Sequence, residues 1–199
     1  MTRLLLATHN PGKRREMEAL LKGLGLELHD LAGLGIADVA EETGSDYAAN
    51  ARLKALTYAQ ASGLWTLADD TGLEVDALEG APGLLSARLL GPDHSDAERR
   101  QALLARLAPH PRPWTARFRC CAALASPSGS VDLAEGVCPG EVIPEERGEH
   151  GFGYDRIFLV AGTARTMAEL QLEDKNRLSH RARAVQALLP TLRRRLGLR

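Results

Sequence analysis

The chain is 199 residues long, 44% hydrophobic and 26% charged, with a formal net charge of −1. That length has room for a sizeable core in one large domain or two small ones, and no apolar run approaches the roughly 18–20 residues of a membrane helix. Near-balanced charge, 25 Lys and Arg against 26 Asp and Glu, speaks against a general electrostatic grip on nucleic acid or an anionic membrane.

Arg3 to Ala7 reads as a short buried strand, closed by the turn signal Thr8-His9-Asn10-Pro11-Gly12. This apolar run is too short for the core of a secretory signal. A helix is predicted from about Pro11, with Asn10 as N-cap, Met17, Leu20, Leu21 and Leu24 at helical spacing, and Gly23 or Gly25 as its stop. Leu26 to His29 is a second strand, and the glycine-rich, acidic stretch from Leu31 to Gly44 a loop. Ser45 can cap a long helix to about Ala61, stopped by Gly63. Leu64 to Ala68 forms a strand that ends at Asp69-Asp70-Thr71-Gly72, and Leu73 to Leu78 alternates as a separate strand with one wet face. After the turn Gly80-Ala81-Pro82-Gly83, a helix opens at Ser95 or Asp96 and runs to about Leu107. Thr115 to Leu124 and Val131 to about Val137 read as an antiparallel hairpin across Pro127-Ser128-Gly129-Ser130. Gly140 to Gly153 is loop, Asp155 to Val160 a strand and Thr166 to Leu172 a short helix. The stripe Leu178, Ala182, Val185, Leu189, Leu192 and Leu196 marks a closing helix. Strands and helices mixed in this order predict an α/β fold with a partly antiparallel sheet.

The cysteines, Cys120, Cys121 and Cys138, form neither a disulfide framework nor a metal-ligand spacing, and read as reduced thiols in strands of a cytoplasmic protein. Lysine is scarce: 21 Arg but only Lys13, Lys22, Lys54 and Lys175. Three of these four fall in or near chemically loaded loops, or on a helix leading from one; Lys22 reads as a solvated helix residue. In Thr8-His9-Asn10-Pro11-Gly12-Lys13, a hydroxyl, an amide and an ammonium gather where a helix start offers N–H donors, which makes an anion site. It is not a Walker A loop. Asp69-Asp70 at a strand end are either solvated acids or ligands of a hard cation such as Mg2+, with Glu41-Glu42 able to supply a further ligand. In Gly151-Phe152-Gly153-Tyr154-Asp155, glycines allow close approach and an aromatic ring offers a stacking face; a packed aromatic corner is the alternative. Lys175 and Ser179-His180-Arg181 put basic side chains at a helix start, where they are unfavourable unless an anion or polar ligand complements them. Helical geometry points His180 away from the apolar stripe and sets Arg181 beside it. The run Arg193-Arg194-Arg195 suits a helix C-terminus.

Seven motifs occur in order: Thr8-His9-Asn10-x-x-Lys13, Glu41-Glu42-Thr43-Gly44, Asn50-x-x-x-Lys54-Ala55, Ala68-Asp69-Asp70-Thr71-Gly72-Leu73, Gly80-Ala81-Pro82-Gly83-x-x-Ser86-Ala87-Arg88, Gly151-Phe152-Gly153-Tyr154-Asp155 and Ser179-His180-Arg181. Together they resemble the inosine/xanthosine triphosphate pyrophosphatases, essentially from end to end. The resemblance implies an elongated mixed, twisted sheet with flanking helices. It implies one domain over residues 1–199, two lobes with the active site in the cleft between them, and a homodimer acting without nucleic acid or membrane. It implies Mg2+-dependent hydrolysis of ITP, dITP or XTP to monophosphate and pyrophosphate. Asp70 would be proton acceptor and, with Glu41, metal ligand, with Asp69 behind it. Thr8, Asn10 and Lys13, aided by Lys54, would hold the triphosphate, with His9, Pro11, Gly12 and Thr71 also binding substrate, and Phe152, Gly153, Tyr154, Asp155, Lys175, His180 and Arg181 would enclose the base and sugar. Thr71 stands where relatives have Ser, Leu89 where an aromatic is common, Arg156 where Pro is usual and Ala182 where Gly is usual. A septum-associated nucleotide pyrophosphatase and a nucleotide-binding module without turnover are the rival readings.

Overall fold

In the computed structural model, every residue except Met1, Val39, Glu41, Pro92 and Arg199 is described. The strands are β1 (Thr2–Leu6), β2 (Leu26–Asp30), β3 (Trp65–Val75), β4 (Pro82–Gly83), β5 (Trp114–Ala125), β6 (Val131–Val142) and β7 (Phe158–Val160). The helices are α1 (Pro11–Leu21), α2 (Tyr47–Ser62), α3 (Asp96–Leu107), α4 (Leu172–Leu178) and α5 (His180–Leu196). The sheet runs β2-β1-β3-β5-β6-β7, with β4 on β3. β1 lies parallel to both β2 and β3, while β4 on β3 and β7 on β6 are antiparallel. The mixed α/β class is as expected.

The chain divides into two compact units, one of Met1–Asp70, Cys120–Gly136 and His180–Arg199, the other of Thr71–Arg119 and Val137–Ser179. In the first, Leu4, Leu6, Met17, Leu67, Ala122 and Leu124 pack with Val185, Leu188 and Leu192 of α5. In the second, Leu73, Val75, Leu103, Leu107 and Trp114 surround Phe118 and Phe158, whose ring centroids stand 4.5 Å apart.

Caps are where the sequence is read most directly. Asn10 caps α1, with Pro11 in its first turn. Ser95 and Glu98 close a reciprocal capping box on α3. The cap of α2 is Asp46, whose Oδ1 accepts from Ala49 N at 2.7 Å, rather than the predicted Ser45. Four expectations on extent are corrected. β3 does not stop at Asp69 but runs unbroken to Val75, so the two acids sit inside a strand instead of at its end. β6 continues to Val142, into the predicted loop, and ladders with β7 from Gly140 to Val142. The closing helix is present as α5, starting at His180 as expected, but Leu178 of its predicted stripe belongs to a separate helix, α4, set apart by Ser179, which is extended at φ −67° and ψ 157°. Thr166 to Leu172 holds only a short 3-10 turn, Met167–Glu169, boxed by Thr166.

Candidate active site

The site begins at the turn from β1 into α1. Asn10 Oδ1 accepts from Gly12 N at 2.8 Å and from Lys13 N at 3.0 Å, and Asn10 N donates to Thr8 Oγ1 at 3.1 Å. The first-turn amides expected to stand open for an anion are thus gathered by Asn10. The cation of this turn is the Lys13 ammonium, 3.0 Å from Asp69 Oδ2. Asp69 also accepts from Arg181 Nε and Nη2, both at 3.1 Å, and the Cys120 thiol lies 3.8 Å from the same oxygen. Arg181 in turn pairs with Glu16 of α1. Burial by itself would push the guanidinium down; the charges of Asp69 and Glu16 outweigh it and hold the pKa well above its ordinary value.

Asp70, the next residue of β3, collects a different set of partners. Its Oδ2 accepts from Asn50 Nδ2 at 3.1 Å and its Oδ1 from Lys54 Nζ at 3.2 Å, both donors coming from α2. Successive side chains of a strand point to opposite faces, so the adjacent carboxylates are each matched by a separate ammonium. Lys54 also binds Glu42 at 2.7 Å. Burial lowers the basicity of Lys54, but Asp70, Asp69 and Glu42 together raise its pKa above the usual value, so it stays charged. One turn further along α2, the Tyr58 hydroxyl accepts from Ala40 N and donates to Asp38 O, each at 2.9 Å, and lies 3.4 Å from His9 Nε2. Tyr58 thereby ties the acidic loop to α2.

The second unit holds the aromatic loop. Asp155 Oδ2 accepts from Lys175 Nζ at 2.6 Å and from Phe152 N at 2.9 Å, and the Lys175 ammonium sits 5.0 Å from the Phe152 ring centroid. Gly151 has φ +76°, and a Cβ there would fall 2.0 Å from Asp155 Oδ2, so any other residue would unseat this carboxylate. Tyr154 is buried with its hydroxyl donated to Ser86 O at 2.9 Å, and burial pushes its phenol up to about 12.

Sequence comparison decides the family. The model of the Ham1 family matches residues 4–191. The chain belongs to the Ham1 family. It is 44% identical over 193 residues to the dITP/XTP pyrophosphatase of Desulforamulus reducens, covering 96% of both chains, and 46% identical over 202 residues to that of Streptomyces coelicolor, covering 99% and 100%. Among solved structures it is similar to a HAM1 protein from Coxiella burnetii, with TM-score 0.86 and 40% identity over 98% of this chain and 100% of that one. A nucleoside-triphosphatase / dITP/XTP pyrophosphatase from Mycobacterium abscessus gives TM-score 0.74 and 40% identity over 95% and 100%.

In this Ham1-family chain the first unit brings together Thr8, His9, Asn10, Pro11, Gly12, Lys13, Lys54 and Asp70, and the second brings together Phe152, Gly153, Tyr154, Asp155 and Lys175. Glu41 lies outside the described residues. His180 and Arg181, at the start of α5, are both buried, at 3% and 1% exposure. Close packing explains this: a Cβ on Gly136 of β6 would fall 2.1 Å from His180 O, so only glycine lets the start of α5 settle so near the sheet. Sequence reasoning gave no role to Glu16 or Tyr58, and none to Asn50 although it stood in the motif Asn50-x-x-x-Lys54-Ala55. A signal existed for two of them, since Asn50, Lys54 and Tyr58 step by four along one face of α2. Among the described residues no three His, Cys, Asp or Glu side chains form a ready metal cage. Mg2+ does not need one, because it keeps several waters and takes one or two carboxylates together with substrate phosphates. Asp70 fits that demand, and Lys54, placed between Glu42 and Asp70, shows a cation accommodated between two carboxylates here.

Proposed function

We propose that this chain is a nucleoside triphosphate pyrophosphatase that converts non-standard purine nucleotides (ITP, dITP and XTP) to the monophosphate and pyrophosphate, with Mg2+ as its metal. The observation that carries the reading is the pair Asp69-Asp70, each carboxylate holding a lysine from a different helix, Lys13 from α1 and Lys54 from α2. It is supported by relatives named dITP/XTP pyrophosphatase that match nearly the whole chain. A triphosphate entering beside Thr8 to Lys13 and Thr71 brings negative charge that these ammonium groups can share, and that neutralisation is what lets a nucleophile approach an anionic phosphorus. Water attacks, a phosphorus–oxygen bond forms, the α–β anhydride bond breaks and its electron pair leaves on pyrophosphate. The proton of the water passes to Asp70, whose two oxygens are aimed by Asn50 and Lys54. Asp70 and Glu41 would hold the Mg2+, which when bound supplies further charge neutralisation and a more acidic water.

Phe152 to Asp155, Lys175 and His180 take the base and sugar in this reading. A donor facing O6 accepts a 6-keto purine and meets the amino group of adenine donor to donor, a mismatch that can reach roughly 10⁴-fold. Arg181 serves by holding Asp69, the partner of Lys13. The whole chain acts as one catalytic domain, as a homodimer in the cytoplasm. Pyrophosphate release measured over a panel of nucleotides, with and without Mg2+, tests the reading. Expected are Mg2+-dependent release from dITP and XTP and a kcat/KM for ATP at least about 100-fold lower. Equal rates on ATP and dITP would overturn the selectivity, and no release from any nucleotide would overturn the activity.

A further inference from the structure

Gly153 is gripped at both of its backbone polar groups by one helix. Its N–H donates to Asp96 Oδ2 at 2.7 Å, and its carbonyl accepts from Arg100 Nη1 at 2.9 Å. Asp96 and Arg100 are one turn apart on α3 and so share a face. Arg100 is itself fixed: Nε and Nη2 reach the two oxygens of Glu146 at 2.8 and 3.0 Å, a fork that leaves Nη1 for Gly153, and the residue is only 7% exposed. Arg156 lies 3.5 Å from the same Glu146 and adds a second cation to it. Gly153 itself has φ +59°, a conformation glycine enters without strain.

The consequence falls on Phe152. Its own N–H is held by Asp155 and the next N–H by Asp96, so the peptide groups on both sides of its Cα are fixed and the ring retains little freedom beyond its side-chain torsions. We propose that Asp96 and Arg100 are positioning residues for base recognition, pre-setting the Phe152 ring by clamping the Gly153 backbone. This rests on the reading that Phe152 takes the base. A loop ordered in advance does not have to be ordered by the ligand, so loss of the clamp weakens binding more than it slows chemistry.

Steady-state kinetics with dITP in Asp96→Ala, Asp96→Asn and Arg100→Lys decides the matter. Loss of a charge-assisted hydrogen bond predicts a KM raised by about tenfold to a hundredfold in Asp96→Ala, with kcat within about threefold. Asp96→Asn keeps an acceptor oxygen for the Gly153 N–H and stays within about threefold of wild type. Arg100→Lys behaves like Asp96→Ala, because one ammonium does not reproduce a fork. Equal damage in Asp96→Ala and Asp96→Asn, or a fall in kcat at unchanged KM, overturns the clamp. Amide hydrogen exchange on the unliganded protein gives a readout free of turnover. Faster exchange at Phe152 and Gly153 in Asp96→Ala but not in Asp96→Asn supports the proposal, and unchanged exchange overturns it. Wild-type protein that releases no pyrophosphate from dITP or XTP sinks the functional reading, while the exchange result still judges the clamp.

Discussion

Buried charge is the defining feature at the scale of single residues. Arg181, Asp69 and Glu16 have side chains 1%, 0% and 4% exposed, and Lys13 joins them through Asp69. An ion taken out of water without a partner costs several kcal/mol, and mutual pairing in the interior offsets that cost. The set is two cations and two anions, so removing one member leaves an uncompensated charge. Glu16→Ala is therefore expected to destabilise the protein by about 3–5 kcal/mol, read from the urea midpoint; a loss below about 1 kcal/mol, the range of surface pairs, would refute the buried pairing. Asp70→Asn tests the neighbouring residue differently. It is nearly isosteric and keeps an oxygen for the Asn50 amide, so the fold should survive while turnover of dITP falls by orders of magnitude for want of a proton acceptor. Turnover close to wild type would remove Asp70 from the chemistry. Residues such as Lys13, Lys54 and Asp70 were legible in the sequence because unusual types gather in short motifs. Glu16 was not: a glutamate on an amphipathic helix reads as solvated until its partner, 165 positions away, is known.

At the scale of elements, local signals and tertiary ones parted company. Helix starts were legible to within a residue where a side chain caps its own neighbours, as Asn10 and Ser95 do and as Asp46 does one position after the predicted Ser45, since cap and helix lie within four residues. The continuity of β3 was not, because two adjacent acids and a glycine look like a strand end, and only the ammonium and guanidinium groups delivered by α1, α2 and α5 make that stretch tolerable inside a sheet. The break at Ser179 was hidden for a similar reason: Leu178 continues the apolar spacing of α5 but packs in a different cluster, with Phe158 and Leu170. Gly136 shows the converse, an ordinary strand glycine by sequence whose missing Cβ admits α5. Gly136→Ala sets a methyl 2.1 Å from His180 O and 2.5 Å from Ala184 N, both backbone atoms that a rotamer change cannot move. Overpacking of this kind costs about 1–3 kcal/mol. Because the displaced element carries His180 and Arg181, the expected result is a lower melting temperature together with a raised KM for dITP. An unchanged melting temperature would mean that α5 does not approach the strand so closely.

For the molecule as a whole, one buried thiol, Cys121, and the buried phenol of Tyr154 set the alkaline limit. Cys120, Cys121 and Cys138 are all buried, at 0%, 1% and 1% exposure, which makes them inert in the native state. Burial, reinforced by Glu135 and Asp70, pushes the Cys121 thiol from 9.0 up to about 11, and burial lifts Tyr154 from 10.0 to about 12. Each is an acid whose neutral form the folded state prefers. Below pH 9.0 both are protonated whether the chain is folded or not, and neither makes stability depend on pH. Above it the unfolded chain releases protons that the folded chain keeps, so stability falls as pH rises from 9.0, falls more steeply from 10.0, and levels only near the folded values of about 11 and about 12. Urea midpoints taken across that range should decline, and Cys121→Ala should flatten the part that begins at 9.0 while leaving the part that begins at 10.0. Midpoints that hold steady up to pH 11 would show that neither group is shielded as its burial implies. The same shielding predicts that a thiol reagent finds no reactive cysteine in the native protein and all three once urea has unfolded it, so the appearance of thiols should track the loss of structure at every pH.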